Sequence, residues 1–346
     1  MAASKSANAI MAKARAKYGK RLTAQNYRDL LACRSVNDVA DYLKSNTVYA
    51  ASLSPVKSPG VHRAQLEHLL RRHLFSEYES LCRFEMSAGE PFFEYIIMTA
   101  EIGELLTFIR MFNAGRTAEY ILGLPAFLET HANIDLRKLS AVRGYDGLLD
   151  ALKGTEYHKL FLPVRPDQNG HLDYTLIEYI LHSFLLKKSL ALAGSLGSKS
   201  ARQETRDSFG IMTDMSNISR VYRCKKFFDL PGEEISKLLF PCVGRLSAKT
   251  LAAMVDAGDP GEVLTLLRKS PYGGYLEGFE YSHIEQCVDR VQHSAFRRAL
   301  RFSANPSEAL LAFVVLARLE VENIIIIIES VRYGYTTDKI SERLVM

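Results

Sequence analysis

The sequence predicts an all-α protein on three observations. Pro and Gly are scarce, 11 and 21 in 346 residues, so little of the chain is forced into turns. Apolar residues recur at three- and four-residue intervals over long stretches, which is the spacing of one face of an α-helix. Strand-like alternation bounded by turn pairs is scarce. Hydrophobic residues make up 47% and charged residues 24%, the balance of a folded chain with core enough for two or three packed units.

The elements follow in chain order. The first 21 residues carry Lys5, Lys13, Arg15, Lys17, Lys20 and Arg21 and no acid. The formal charge is +5, from 44 Lys and Arg against 39 Asp and Glu. Outside the basic start, 38 bases therefore meet 39 acids. The excess belongs to one terminal segment, which argues against nucleic acid as a partner; contact with anionic lipid or a contribution to solubility both fit it. A basic, acid-free start also imitates an organelle presequence, but its pattern runs straight into the first predicted helix. From Phe92 to Phe112, the residues Phe93, Ile96, Ile97, Ala100, Leu105, Phe108, Ile109 and Phe112 share one broad helical face. Breaks are predicted at Pro163 to Gly170, Gly194 to Ser200, Pro231-Gly232 and Pro271 to Gly274.

Two helix starts are explicit. Asn305-Pro306-Ser307-Glu308 reads as an N-cap, a proline at the first helical position, where no N–H is missed, and an acid at the positive end of the helix dipole. Asp259-Pro260-Gly261-Glu262 repeats that logic. The apolar run Ala309 to Ala317 is stopped by Arg318 and Glu320 and resumes at Ile324 to Ile328. Neither piece approaches the roughly 20 uncharged residues of a spanning helix. Five scattered cysteines (Cys33, Cys82, Cys224, Cys242, Cys287), with no CxxC pair, fit a reducing cytoplasm and neither a disulfide framework nor a zinc ribbon.

An internal repeat organises the chain. Arg21-Leu22-Thr23-Ala24 aligns with Arg245-Leu246-Ser247-Ala248, and without a gap Ser35 then meets Asp259 and Leu43 meets Leu267. In both copies the hydroxyl can cap a helix, and the leucine before it can staple to Tyr27 or Leu251. A partial middle copy is expected to start at Leu139-Ser140-Ala141 and to pass through Leu152-Lys153 to Tyr157, matching Leu43-Lys44 and Tyr49. Each copy then carries an acid and a polar partner three residues apart, on one helix face: Glu101 and Glu104, Asp214 and Asn217, Glu320 and Asn323. Fourteen residues past the leading acid come Gly115 and Gly334, while the second copy has Phe228 there; the later acids are Glu119, Asp338 and, one residue late, Glu233. These polar pairs are read either as hydrogen bonds between packed helices or as the lining of a shared cavity.

No motif here carries catalysis. Gly194-Ser195-Leu196-Gly197-Ser198-Lys199-Ser200 lacks the second glycine and the spacing of a phosphate loop, and reads as a flexible connection. His62, His68 and His73 are spaced by six and five residues, not the four that bring two ligands onto one helix face, so no metal site is predicted. No GxSxG elbow occurs. Glu101 and Glu104 have no accompanying pocket residues that would make them an acid/base pair. No catalytic residue, cofactor or metal is assigned.

The threefold helical repeat, the Leu22 to Leu31 start (Leu-Thr-Ala-x-x-Tyr-x-x-Leu-Leu), the Asp/Glu-x-x-Asn-Ile helices and the ending Glu320-Val321-Glu322-Asn323-Ile324, Gly334, Asp338-Lys339-Ile340 together resemble the C subunit of V/A-type ATPases (ATP synthases), the counterpart of the d subunit of the eukaryotic V-ATPase. The resemblance runs from about Asn8 to Val345. Glu104 in place of an asparagine and Phe228 in place of a glycine depart from equivalence of the three units. The resemblance implies three similar helical bundles in a pseudo-threefold funnel, with repeats at 1–124, 125–241 and 242–346. It implies a non-catalytic central-stalk adaptor, peripheral to the membrane at its cytoplasmic face. Its partners would be the proteolipid ring and the central shaft formed by the D and F subunits, with Glu101, Glu104, Asp214, Asn217, Glu320 and Asn323 as candidate socket or inter-repeat polar residues. Two other readings remain: a helical repeat scaffold for another protein, and an enzyme with an unfamiliar site, which would show converging ionisable groups in a deep pocket.

Overall fold

A computed structural model describes residues 2–56, 60–83, 89–123, 128, 130–279 and 283–345. Among these residues the fold is all-α, with no strand. The helices are α1 Ala2–Gly19, α2 Ala24–Leu31, α3 Val36–Asn46, α4 Arg63–Cys82, α5 Gly89–Asn113, α6 Leu136–Ser140, α7 Gly144–Leu152, α8 Glu156–Phe161, α9 Tyr174–Ser195, α10 Lys199–Arg223, α11 Gly232–Lys237, α12 Ala248–Asp256, α13 Pro260–Lys269, α14 Ile284–Phe302, α15 Pro306–Arg332 and α16 Thr337–Ser341. They form two compact units, one of Met1–Glu90 with Ala193–Met346 and one of Pro91–Leu192.

The larger unit is built on α15. A helix of 27 residues rises about 40 Å, and this one is buried on most sides, so it carries apolar residues all round. Ile10 and Ala14 of α1 are fully covered, and α1, α4 and α14 all pack on α15. Leu22, Tyr27, Leu43, Leu66 and Leu70 share one core with Ile324, Ile327 and Ile328 of α15. A second core joins Met215 and Ile218 of α10 to Met254, Val263, Leu267 and Val291. The charges that interrupt the apolar run of α15 are spent inside the fold. Arg318 donates to both oxygens of Glu322, at 2.8 and 2.9 Å, and to Gln292 Oε1 at 2.9 Å.

The smaller unit has its own core. Phe92, Ile102, Leu105, Phe108 and Ile109 of α5 are buried, as are Leu136, Leu139, Leu148, Leu152 and Phe161. Phe108 meets Tyr120 edge-on at 5.5 Å, and Tyr157 meets Phe184 at 5.8 Å, both favoured aromatic geometries.

The predicted caps form. Thr23 and Asn26 make a reciprocal capping box, as do Ser35 and Asp38. Ser247 accepts from Thr250 N, Asp259 from Glu262 N, and Asn305 from Ser307 N. Leu22 and Leu246 lie in the same cores as their staple partners Tyr27 and Leu251. The middle start is a correction. Leu139, Ser140 and Ala141 end α6 rather than open it, and the cap is Asp135, whose carboxylate accepts from Lys138 N at 3.2 Å. The counterpart of Leu22-Thr23 is therefore Ile134-Asp135. An aspartate caps as well as a hydroxyl does, so this start shares its physics with the other two but not their residue type.

Two segments singled out in the sequence can now be placed. The segment around Gly197 is a short helix connection in which Ser198 caps α10 through Ala201 N, and Arg202 holds the carbonyls of Leu196 and Gly197. Three basic residues of the N-terminal helix take part in packing. Arg15 donates to the carbonyls of Leu300 and Ser303 at 2.8 and 2.6 Å, closing the C-terminal end of α14. Lys17 pairs with Glu77 at 2.5 Å, and Lys13 reaches Ser80. Among the described residues no helix is long and apolar enough to cross a membrane.

The corrected start is testable. Asp135→Ala is expected to lower stability by about 1 kcal/mol in urea unfolding through loss of the cap, while Ser140→Ala changes it by less than about 0.5 kcal/mol. The reverse ranking would restore the Leu139-Ser140-Ala141 start.

Candidate functional site

Each of the three leading acids holds the start of a helix pair. Glu320 Oε2 accepts from Leu22 N at 2.9 Å, and its Oε1 from Tyr49 Oη at 2.8 Å. Asp214 Oδ2 accepts from Leu246 N at 2.8 Å and from Tyr272 Oη at 2.5 Å. Glu101 Oε1 accepts from Asn133 N and Ile134 N, and its Oε2 from Tyr157 Oη at 2.7 Å. The constellation is the same three times: a carboxylate on a long helix, the backbone N–H that precedes a capped helix, and the hydroxyl of a tyrosine that follows two short helices. It recurs in α2 and α3 with Tyr49, α6 and α7 with Tyr157, and α12 and α13 with Tyr272.

Burial makes these bonds strong. Tyr49, Tyr157 and Tyr272 are almost fully covered, as are Glu101 and Asp214, while Glu320 is half-buried. Burial pushes the Asp214 and Glu320 carboxyls above the usual carboxylate range, and their hydrogen bonds oppose that rise. Burial first, and the neighbouring carboxylate second, raise all three phenols, so each tyrosine stays a donor. A bond to a charged acceptor contributes about 1.5–3 kcal/mol.

The residues three positions on do a second job. Asn217 forms a closed pair with the backbone of Phe240, donating to its O at 3.0 Å and accepting from its N at 2.8 Å. Asn323 does the same with Val345 and also donates to Tyr27 Oη at 3.3 Å. An amide has both donor and acceptor, and so satisfies both groups of one backbone residue. The Glu104 carboxylate can only accept, and it does so from Tyr120 Oη at 3.0 Å. Each of the six polar residues thus makes hydrogen bonds within the packed helices.

Departures in the second copy have local causes. Gly210, one turn before Asp214, lies so near Gly244 that a Cβ added to it would stand 2.6 Å from Gly244 Cα. Bare backbone on both sides brings the loop within reach of an aspartate, which is shorter than the glutamate of the other copies. The helix α10 then ends in a π-turn, Cys224–Phe228, and the left-handed residue is Asp229, at φ +47°. In the other copies it is Gly115, at φ +69°, and Gly334, at φ +70°. The π-turn inserts one residue, which displaces the left-handed position from Phe228 and delays the following acid to Glu233.

Tyr272, Ile134 and the role of Glu308 are not legible in the sequence pattern. The gapless alignment puts Tyr49 against Gly273, one residue from Tyr272. Glu308 does stand at the third position of α15, but its carboxylate is buried and accepts from Ser208 Oγ of α10 at 2.6 Å. Burial, with Glu204 and Asp207 adding repulsion, pushes it up to about 7.

Among the described residues no cluster of His, Cys, Asp and Glu is arranged to hold a metal. The histidines differ in role: His62 precedes α4, and His73 bonds to Ser52 Oγ at 2.8 Å and leans on Tyr49.

With this geometry in place, comparison with known proteins gives two findings. The family described as ATP synthase (C/AC39) subunit matches residues 10–343. The chain is 21% identical over 333 residues to the C subunit of the A-type ATP synthase of Methanosphaera stadtmanae, covering 93% of this chain and 83% of that protein.

Two outcomes follow. Tyr49→Phe, Tyr157→Phe and Tyr272→Phe are each expected to cost about 2 kcal/mol in urea unfolding; losses under about 0.5 kcal/mol would show that the acids do not depend on the phenols. The folded pKa of Glu308 lies above the ordinary value of 4.5, so protons bind the folded chain more tightly. Its contribution is fully present below about 4.5 and is lost as pH rises through about 7. Glu308→Gln is therefore expected to flatten the fall of stability across that window, and an unchanged slope would exclude this carboxyl as its source.

Proposed function

The chain belongs to the family of ATP synthase (C/AC39) subunits, and we propose that it is the non-catalytic central-stalk adaptor of a rotary V/A-type ATPase. In this role it couples the shaft of the D and F subunits to the membrane proteolipid ring during ion transport, peripheral to the membrane at its cytoplasmic face. The family match along nearly the whole chain carries this reading.

The geometry supports it. An adaptor that transmits torque has to resist twisting, and close-packed helices tied by buried polar bonds do so. The three ties also follow a cyclic order. Glu101 of the first repeat holds the start of the second; Asp214 of the second holds the start of the third; Glu320 of the third holds the start of the first. A chain of three repeats, 1–124, 125–241 and 242–346, arranged as a pseudo-threefold funnel has that order of contacts. In this reading the three leading acids, with Asn323 through Tyr27, are inter-repeat ties that keep the socket wall rigid, while Glu104 and Asn217 bond within their own repeats.

The test is purification of the tagged chain from membranes in mild detergent. The proteolipid ring and the D and F subunits are expected to accompany it. Recovery of the folded chain without either would overturn the assignment.

A further inference from the structure

Two stretches of the chain hold no acid, residues 1–28 and residues 290–307. The fold brings them together. Arg15 of α1 donates to the carbonyls of Leu300 and Ser303 at 2.8 and 2.6 Å, and so lies against the last turn of α14. On α14, Arg297 and Arg301 stand one turn apart, as do Arg298 and Phe302, a spacing that holds Cβ atoms about 5–6 Å from each other. Arg301 lies over the Phe302 ring at 5.4 Å. Burial, with Arg297, Arg290 and Arg21 adding to it, pushes His293 of α14 down to about 4, so Arg21 is within electrostatic reach of the same helix.

Arg15, Lys20, Arg21, Arg297, Arg298 and Arg301 are all exposed, and none of them forms an ion pair among the described residues. The acids that approach this face are engaged elsewhere. Glu77 of α4 pairs with Lys17 at 2.5 Å. Glu204 of α10 accepts from Ser200 Oγ at 2.7 Å and from Ser303 Oγ at 3.1 Å. Glu320 of α15 accepts from Leu22 N and Tyr49 Oη. The end of α14 does not draw on Arg298 or Arg301 either, since Arg15 already supplies donors to its last carbonyls. Beside these cations Phe302 is 72% exposed, an apolar ring left in water.

An acidic protein segment would answer the charges and leave the ring uncovered. The interface of an anionic bilayer answers both. Its phosphates accept paired bonds from guanidinium groups, and the boundary of its acyl region takes an aromatic ring. Lipids also rearrange to fit cations that keep no fixed spacing. We propose that the face formed by Arg15, Arg21, Arg297, Arg298, Arg301 and Phe302 docks on an anionic lipid surface, with Phe302 entering the headgroup region. The inference goes beyond the adaptor reading and does not rest on it, because the chain itself binds the lipid without ring or shaft.

The test is co-sedimentation of the purified full chain with vesicles, either of phosphatidylcholine alone or of equal parts phosphatidylcholine and phosphatidylglycerol, at low and raised salt. Binding is expected only to the anionic vesicles and is expected to fall as salt rises. Each cation near such a surface changes affinity about fivefold, so Arg298→Gln with Arg301→Gln should weaken binding about tenfold or more, and the two lysine variants should retain it. Phe302→Ser should weaken it about threefold or more at every salt concentration. Thermal stability should not change, since all three residues are exposed. Arg143→Gln with Lys159→Gln, which removes the same charge from the smaller unit, should leave binding intact. Anionic vesicles left unbound by the wild-type chain, or bound equally by the Arg298 and Arg301 double variant, would overturn the inference. An equal loss in the smaller-unit variant would do so too, since binding would then follow net charge and not this face. Capture of polyglutamate without capture of vesicles would replace the lipid with an acidic protein segment. Each of these results leaves the adaptor reading standing, which fails only if the chain leaves membranes without ring and shaft.

Discussion

A buried carboxylate on a long helix cannot be left without donors, and most of this architecture answers that requirement. Removal from water costs a charged group several kcal/mol unless hydrogen bonds replace the solvent. Here the replacement is the same each time, one or two backbone N–H groups and one phenol. The backbone donor fixes where the next helix begins, and the phenol fixes where the chain lies after two short helices. Two bonds thus locate the ends of each two-helix segment, and packing of its leucines and valines fills the space between.

The arrangement also explains which features repeat and which vary. The acid, the N–H before the cap and the tyrosine recur, because they form one closed set of bonds. The identity of the cap varies, from Thr23 to Asp135 to Ser247, since any short side-chain acceptor suits the orphan amides. The acid itself varies in length. Asp214 replaces a glutamate where Gly210 and Gly244 bring the backbones together, and the π-turn after α10 takes up one residue of mismatch.

Such ties suit the load-bearing role proposed for this chain. The phenols are held as donors, and both oxygens of Glu101 and of Glu320 accept hydrogen bonds, while Asp214 Oδ1 has no partner among the described residues. Along α15, Arg318 pairs with Glu322 and Gln292, and Glu308 accepts from Ser208 through one of its two oxygens.

The sequence by itself determined the helical class, the caps at Thr23, Ser35, Ser247, Asp259 and Asn305, the positions of the three acids and the family. These depend on neighbours within a few residues, or on patterns repeated along the chain. It did not determine what the acids bind. Tyr49 and Glu320 are 271 residues apart, and nothing local to either names the other. The same limit hid Tyr272 behind a one-residue shift, placed the middle start at Ser140 instead of Asp135, and left unseen the contacts of Arg15 and Lys17 with α14 and α4. Only the tertiary structure decided these points, because a buried polar group takes whichever partner the packed helices bring within hydrogen-bond reach, and that reach is set by packing over the whole chain.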